Sequence, residues 1–160
     1  MLTLEQMLIR LVISLILGAI IGFERELMGK EAGIRTSMMV SVGAAIFAMI
    51  SISLRYLIAI SPENLPDVIA RNSGFLGVVA NIVVGIGFLG AGIIIKTDER
   101  VKGITTAAVV WVVASIGTLV GLGLEEFAII SSVLIAILLY LLRNLNIAQK
   151  VVEKKKQETE

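Results

Sequence analysis

Cysteine and histidine are both missing from the 160 residues of this chain. Their absence excludes disulfides, thiolate nucleophiles, Cys/His zinc sites and imidazole general bases. Charge is scarce: Asp, Glu, Lys and Arg make up 17% of the residues, where an ordinary soluble domain has about 25%. No stretch of about ten residues alternates apolar with polar, which excludes a transmembrane β-barrel. Any chemistry must therefore rest on carboxylates, Lys, Arg, hydroxyls or backbone. No catalytic constellation is recognisable among these, so no catalytic residue and no enzymatic activity is assigned. What the chain does have is apolar surface. It is 57% hydrophobic, with a mean hydropathy of +0.96, and its charges sit in short islands between long apolar runs.

About five segments reach or approach the roughly 20 residues that a helix needs to cross a bilayer. They are Leu4–Phe23, Thr36–Ile60, Gly74–Ile95, Ile104–Leu122 and Phe127–Arg143. Lipid offers no water to unpaired backbone groups, so such runs must be helical. The sequence predicts an all-α fold: a polytopic membrane helix bundle over residues 1–145, followed by a short charged tail, 146–160, that extends the fifth helix. The first run carries Glu5 ahead of Arg10 and no small-residue cleavage site, so it is read as retained. Short loops make consecutive helices antiparallel neighbours. Basic residues concentrate in the first loop (Arg25, Lys30, Arg35), the third (Lys96, Arg100, Lys102) and the tail (Arg143, Lys150, Lys154, Lys155, Lys156). The other side has Arg10, Arg55 and Arg71. This asymmetry puts the N-terminus outside and the C-terminus in the cytoplasm. Arg10 and Arg55 lie near the outer ends of spans, where they either snorkel to the headgroups or face inward as a pair lining a polar cavity. In the outer loop Ser61–Ser73, Pro66 is placed to start a short surface helix running to Arg71.

Two stretches resemble each other. Leu17-Gly18-Ala19 precedes a charged loop ending in Gly33-Ile34-Arg35-Thr36, and Leu89-Gly90-Ala91 precedes one ending in Gly103-Ile104-Thr105-Thr106. The match suggests a parallel repeat of helices 1–2 and 3–4. Fifteen glycines, nearly all in or beside the spans, also call for a reason. Small residues four apart let helix backbones approach closely in lipid. Ser14, Gly18 and Gly22 form such a stripe on the first helix, Gly117 and Gly121 on the fourth, and Gly85, Gly87, Gly90 and Gly92 crowd the third. These read either as helix packing or as a locally unwound helix whose carbonyls contact an ion. The third helix matches the dinucleotide fingerprint formally, but inside a spanning run that match is meaningless. Asn81, near the middle of a span, must find a partner on a neighbouring helix or line a polar path beside Thr105, Thr106 or Thr118.

The first charge island holds Glu24, Arg25, Glu26, Lys30, Glu31 and Arg35. Its bland role is to stop two helices at the interface. The sharper one is a charged cytoplasmic network tying the two hairpins together, with Glu24 paired to Arg35 and Lys102 completing it from the second hairpin. The lysine-rich tail is a solvated flank or an attraction for anionic lipid.

Three blocks of residues resemble the MgtC/SapB family of bacterial inner-membrane proteins. The first is Gly22-Phe23-Glu24-Arg25-Glu26, then Ala32-Gly33-Ile34-Arg35-Thr36 and Val42-Gly43-Ala44-Ala45-Ile46-Phe47. The second is Gly85-Ile86-Gly87-Phe88-Leu89-Gly90-Ala91-Gly92. The third is Val101-Lys102-Gly103-Ile104-Thr105-Thr106-Ala107-Ala108, with Trp111 and Gly117 after it. They occur in the family's order and cover roughly Gly18–Gly123. Departures fall at Gly77 and Asn81, where the family often has Arg and Gln, at Val84 in place of a common Ser, and at Lys102 in place of Arg. Many members carry a soluble C-terminal domain that this sequence does not include. The resemblance implies a role in magnesium homeostasis, in adaptation to low magnesium and in virulence. It also implies contact with other membrane complexes, among them the F-type ATP synthase.

Two functions compete. In the favoured one the chain is a non-enzymatic regulator working through helix–helix contacts in the lipid bilayer, as a homodimer, with no cofactor and no nucleic acid. The alternative is a cation carrier or channel for Mg²⁺. Magnesium takes oxygen ligands and keeps much of its water, and the carboxylates nearest the membrane, Glu24 and Glu26, are two apart and point to different helix faces. A metal site therefore stays open, with Mg²⁺ its one candidate.

Overall fold

The computed structural model of the protein describes residues 2–58, 74–97 and 100–157. Among these residues there are five helices: α1 (Leu4–Leu27), α2 (Ile34–Ile58), α3 (Gly74–Ile93), α4 (Ile104–Leu122) and α5 (Glu125–Gln157). Two short strands, β1 (Ile95–Lys96) and β2 (Val101–Lys102), lie between α3 and α4. The all-α expectation holds. The outer loop, where a short helix from Pro66 to Arg71 is expected, and the side chain of Arg55 lie outside the described residues.

Local chemistry sets the helix ends. A capping box starts α1: the Thr3 hydroxyl accepts the Gln6 N–H at 3.2 Å, and the Gln6 side-chain Oε1 accepts the Thr3 N–H at 3.1 Å. A Schellman turn stops α4 at Gly123 (φ +89°), with the Gly123 N–H on the Val120 carbonyl and the Leu124 N–H on that of Leu119, at 3.0 and 2.9 Å. α1 runs a turn beyond the expected end at Phe23, so Glu24 and Arg25 are helical residues. α5 continues through Arg143 to Gln157, as the charged tail suggested.

The connection between α3 and α4 is a small antiparallel hairpin, with Ile95 opposite Lys102 and Lys96 opposite Val101. Thr97 closes it, its N–H and hydroxyl both donating to the Arg100 carbonyl at 2.9 and 3.0 Å. Gly103 (φ +87°) then turns the chain into α4, and a Cβ there would strike the Ile93 carbonyl. Strands of two residues are too short to show alternation, so the sequence carried no signal for them.

α2 is the central helix. Its buried small residues Ser37, Ser41, Ala45 and Ala48 face the glycine stripes of α1 and α4. A Cβ on Gly18 would lie 2.7 Å from the Ser37 carbonyl oxygen, and one on Gly22 2.7 Å from the Ile34 Cα. A Cβ on Gly117 or Gly121 would land on the carbonyl oxygens of Ser41 and Ala45. These four glycines sit where the helix backbones approach most closely. Around them Leu17, Ile21, Val113, Ile116 and Val120 form the apolar core, closed from the α5 side by Ala128 and Leu139.

The third helix corrects the expectation. Gly85, Gly87 and Gly92 have nothing within 4 Å of an added Cβ, and only Gly90 touches a neighbour, Ala107, at 3.6 Å. Four glycines within eight positions wrap around more than one helix face, so they cannot all meet one partner. The contact at Gly90 also bears on the repeat. Gly18 meets Ser37 as Gly90 meets Ala107, and the residues of the two pairs are separated by the same 72 and 70 positions as the matched motifs.

α1, α2 as far as Leu54, α4, and α5 as far as Arg143 are long and apolar enough to cross a membrane. In α3 the apolar helix is shorter, Gly77–Ile93. The outward faces of α1 and α5 expose Val12, Ile16, Phe23, Ile130, Leu134 and Leu141. A bundle with such continuous apolar surface belongs in lipid.

Candidate functional site

The residues of the first charge island, with Lys102, Thr105 and Thr106, lie at the bundle end that carries the 28–33 loop and the β1–β2 hairpin. Arg25 is the unusual member. The buried stripe of α1 (Ser14, Leu17, Gly18, Ile21, Gly22) continues at helical spacing onto Arg25, which turns inward and is 4% exposed. Its Nη1 lies 3.5 Å from Oε2 of its neighbour Glu24. Nε and Nη2, together with that Glu24 oxygen, have no hydrogen-bond partner among the described residues.

The expected Glu24–Arg35 pair is therefore not formed: Glu24 turns to Arg25, and Arg35 is exposed on the first turn of α2. The extra turn of α1 is the physical reason, because it carries Arg25 onto the inner face alongside Glu24. Lys102 and Thr105 are exposed as well, so Lys102 does not join the two hairpins.

The hairpins are joined by a residue outside the expected network. The Thr106 hydroxyl, buried at the start of α4, donates to Glu31 Oε2 at 3.0 Å. The Glu31 carboxyl is held below its ordinary pKa, first by a hydrogen bond from its own backbone, then by Thr106, with Lys30 and Arg25 adding positive charge nearby. Glu26 has a separate task. Its Oε2 accepts the Ile34 N–H at 2.9 Å, capping α2 from the preceding helix, where an acidic group suits the helix dipole. Gly33 permits this, since a Cβ there would lie 2.7 Å from that oxygen. A glycine seven residues after a carboxylate, just before an apolar run, is a signal that was open to sequence inspection. Glu31 had no comparable signal.

At the opposite end Arg10 neither snorkels nor lines a cavity. Its Nε pairs with Glu125 Oε1 at 3.1 Å, and its Nη1 donates to the Gly121 carbonyl at 2.9 Å. The guanidinium packs against Gly123 and fastens α1 to the α4–α5 turn.

Asn81 lies elsewhere again. It is exposed on α3 and lines an apolar groove of about 760 Å³ between α2 and α3, with Gly43, Phe47 and Gly85. It makes no side-chain hydrogen bond among the described residues and is not brought near Thr105 or Thr106. Thr118, the third threonine of the expected polar path, donates to its own helix at the Ala114 carbonyl.

These donors fit a dehydrated Mg²⁺ poorly. Among the described residues no three acidic side chains come together, whereas Mg²⁺ demands near-octahedral oxygen ligation. Glu26 is committed to a helix N-terminus and Glu31 to Thr106.

Comparison with known proteins completes the site. The chain is 40% identical over 132 residues to protein MgtC of Brucella abortus, which covers 82% of this chain and 49% of that protein. It is 39% identical over 136 residues to protein MgtC of Salmonella typhimurium, covering 85% and 52%. It is 35% identical over 137 residues to YhiD of Escherichia coli, described as a putative magnesium transporter, covering 84% and 59%. The chain thus spans about half the length of the curated relatives it matches. No solved structure matches it. The model of the MgtC family matches residues 11–147, which reach into each of the five described helices and include the hairpin end of the bundle but not Arg10, and the chain belongs to that family.

Proposed function

We propose that the chain is a non-enzymatic membrane protein of magnesium homeostasis that acts by binding other membrane proteins. The bundle sits in the inner membrane with its hairpin end cytoplasmic and the N-terminus outside. The observation that carries this is the closed centre of the bundle. Between α1, α2 and α4 glycine meets backbone carbonyl directly, which leaves no room for a hydrated cation, and the described ionic side chains stand at the two ends. The link to magnesium rests on the names of the relatives.

Transport of Mg²⁺ is the second reading, favoured by the description of the Escherichia coli relative as a putative magnesium transporter. Reconstitution separates the two. Purified chain in liposomes loaded with a Mg²⁺ indicator is expected to leave an imposed Mg²⁺ gradient standing for as long as protein-free vesicles do. Dissipation that depends on protein dose and falls in Glu24→Gln or Asn81→Leu would establish the transporter instead.

A further inference from the structure

Most of the described helical glycines fall into two sets. Gly18, Gly22, Gly117 and Gly121 are pressed against neighbouring backbone, whereas Gly43, Gly77, Gly85, Gly87 and Gly92 face open space. The open set lies entirely on α2 and α3, and Gly43 and Gly85 stand on opposite walls of the α2–α3 groove. Gly77, Asn81 and Gly85 are four residues apart and share one face of α3, flanked by Val84 at 70% and Phe88 at 86% exposure.

A carboxamide midway along an apolar helix in lipid cannot be satisfied by lipid tails, so it needs a polar group presented at the same depth. An amide carries both donor and acceptor. Across a two-fold axis along the membrane normal, two copies of the same asparagine meet at equal depth, and each donates to the other. Such an isologous contact needs no second protein to supply the complementary group. The glycines one turn above and below let the two backbones come close enough for the amides to reach.

We propose that the α3 face and the α2–α3 groove are the seat of a second copy of this chain. The α3 helices of the two copies pack side by side with Asn81 against Asn81, and each shields the other's groove from lipid. This surface is independent of the magnesium reading, and the outcome of the flux experiment leaves it untouched.

The natural chain contains no cysteine, so single substitutions report proximity without background. Val84→Cys and Phe88→Cys on α3, and Leu134→Cys on the outward face of α5, are each reconstituted into lipid vesicles at high lipid-to-protein ratio and oxidised. The expected result is disulfide-linked dimer for the two α3 variants and none for Leu134→Cys. Adding Asn81→Leu or Gly85→Leu to Val84→Cys should lower the linked fraction about three- to tenfold, the size of effect that an interhelical hydrogen bond has in membranes. Retained helical circular dichroism shows that these variants fold. Equal, low cross-linking at all three positions would mean that lipid fills the groove, and stronger linking at Leu134→Cys would place any interface on α5. Either result overturns the proposal, as does a linked fraction unchanged by both added substitutions.

Discussion

At the scale of single residues, glycine positions divide the bundle into tight and loose parts. Gly117→Ala sets a methyl group on the Ser41 carbonyl oxygen and should destabilise the protein by about 1–3 kcal/mol, the usual effect of overpacking. Gly87→Ala enters open space and should be neutral, or stabilising by up to about 1 kcal/mol through helix propensity. Thermal unfolding of both variants in one detergent checks the contrast. The stripes on α1 and α4 were visible in the sequence because they repeat every four residues on a single face. α3 could not be sorted in that way, because Gly85, Gly87, Gly90 and Gly92 look alike in sequence and only the neighbours in space tell Gly90 from the rest. Arg25 shows the converse. The stripe Ser14–Gly18–Gly22 extends by three residues onto it, so its inward turn is readable only when the helix is carried past Phe23, where the apolar run stops.

At the scale of elements, packing of the helices is supplemented by polar ties at the two ends. The Glu31–Thr106 contact joins the 28–33 loop to α4. Because folding lowers the Glu31 pKa from its ordinary 4.5, the folded protein binds that proton less readily than the unfolded chain. Its contribution is therefore complete above pH about 4.5 and is lost as pH falls through the lowered folded value. Glu31→Gln removes this dependence. The difference in unfolding temperature between the natural chain and the variant should be constant from pH 8 to pH 5 and shrink below that. A difference that grew on acidification would contradict the assignment. Thr106→Val should remove part of the dependence, since the backbone hydrogen bond to Glu31 remains. Composition and spacing foretold the helices but not these ties. A hydroxyl and a carboxylate 75 residues apart meet through the way α1, α2 and α4 pack, and no local pattern encodes that.

For the whole molecule, the membrane setting was legible from hydropathy alone, and four helices long enough to span confirm it. Orientation can be tested with the same cysteine-free background. Lys30→Cys in the hairpin-end loop should react with a membrane-impermeant maleimide only after cells are opened, and Leu124→Cys at the other end should react in intact cells. The reverse pattern would invert the bundle. The Arg10–Glu125 pair adds a constraint on how the molecule is made. The two partners stand 115 residues apart, so during synthesis the first helix enters the bilayer with an arginine whose carboxylate has not yet been translated. Domains generally form in order of synthesis, yet this bundle closes by joining an early helix to the turn before its last one. Its closing step waits on the fifth helix, and a chain halted before Glu125 would leave the Arg10 guanidinium to the headgroups instead of its carboxylate.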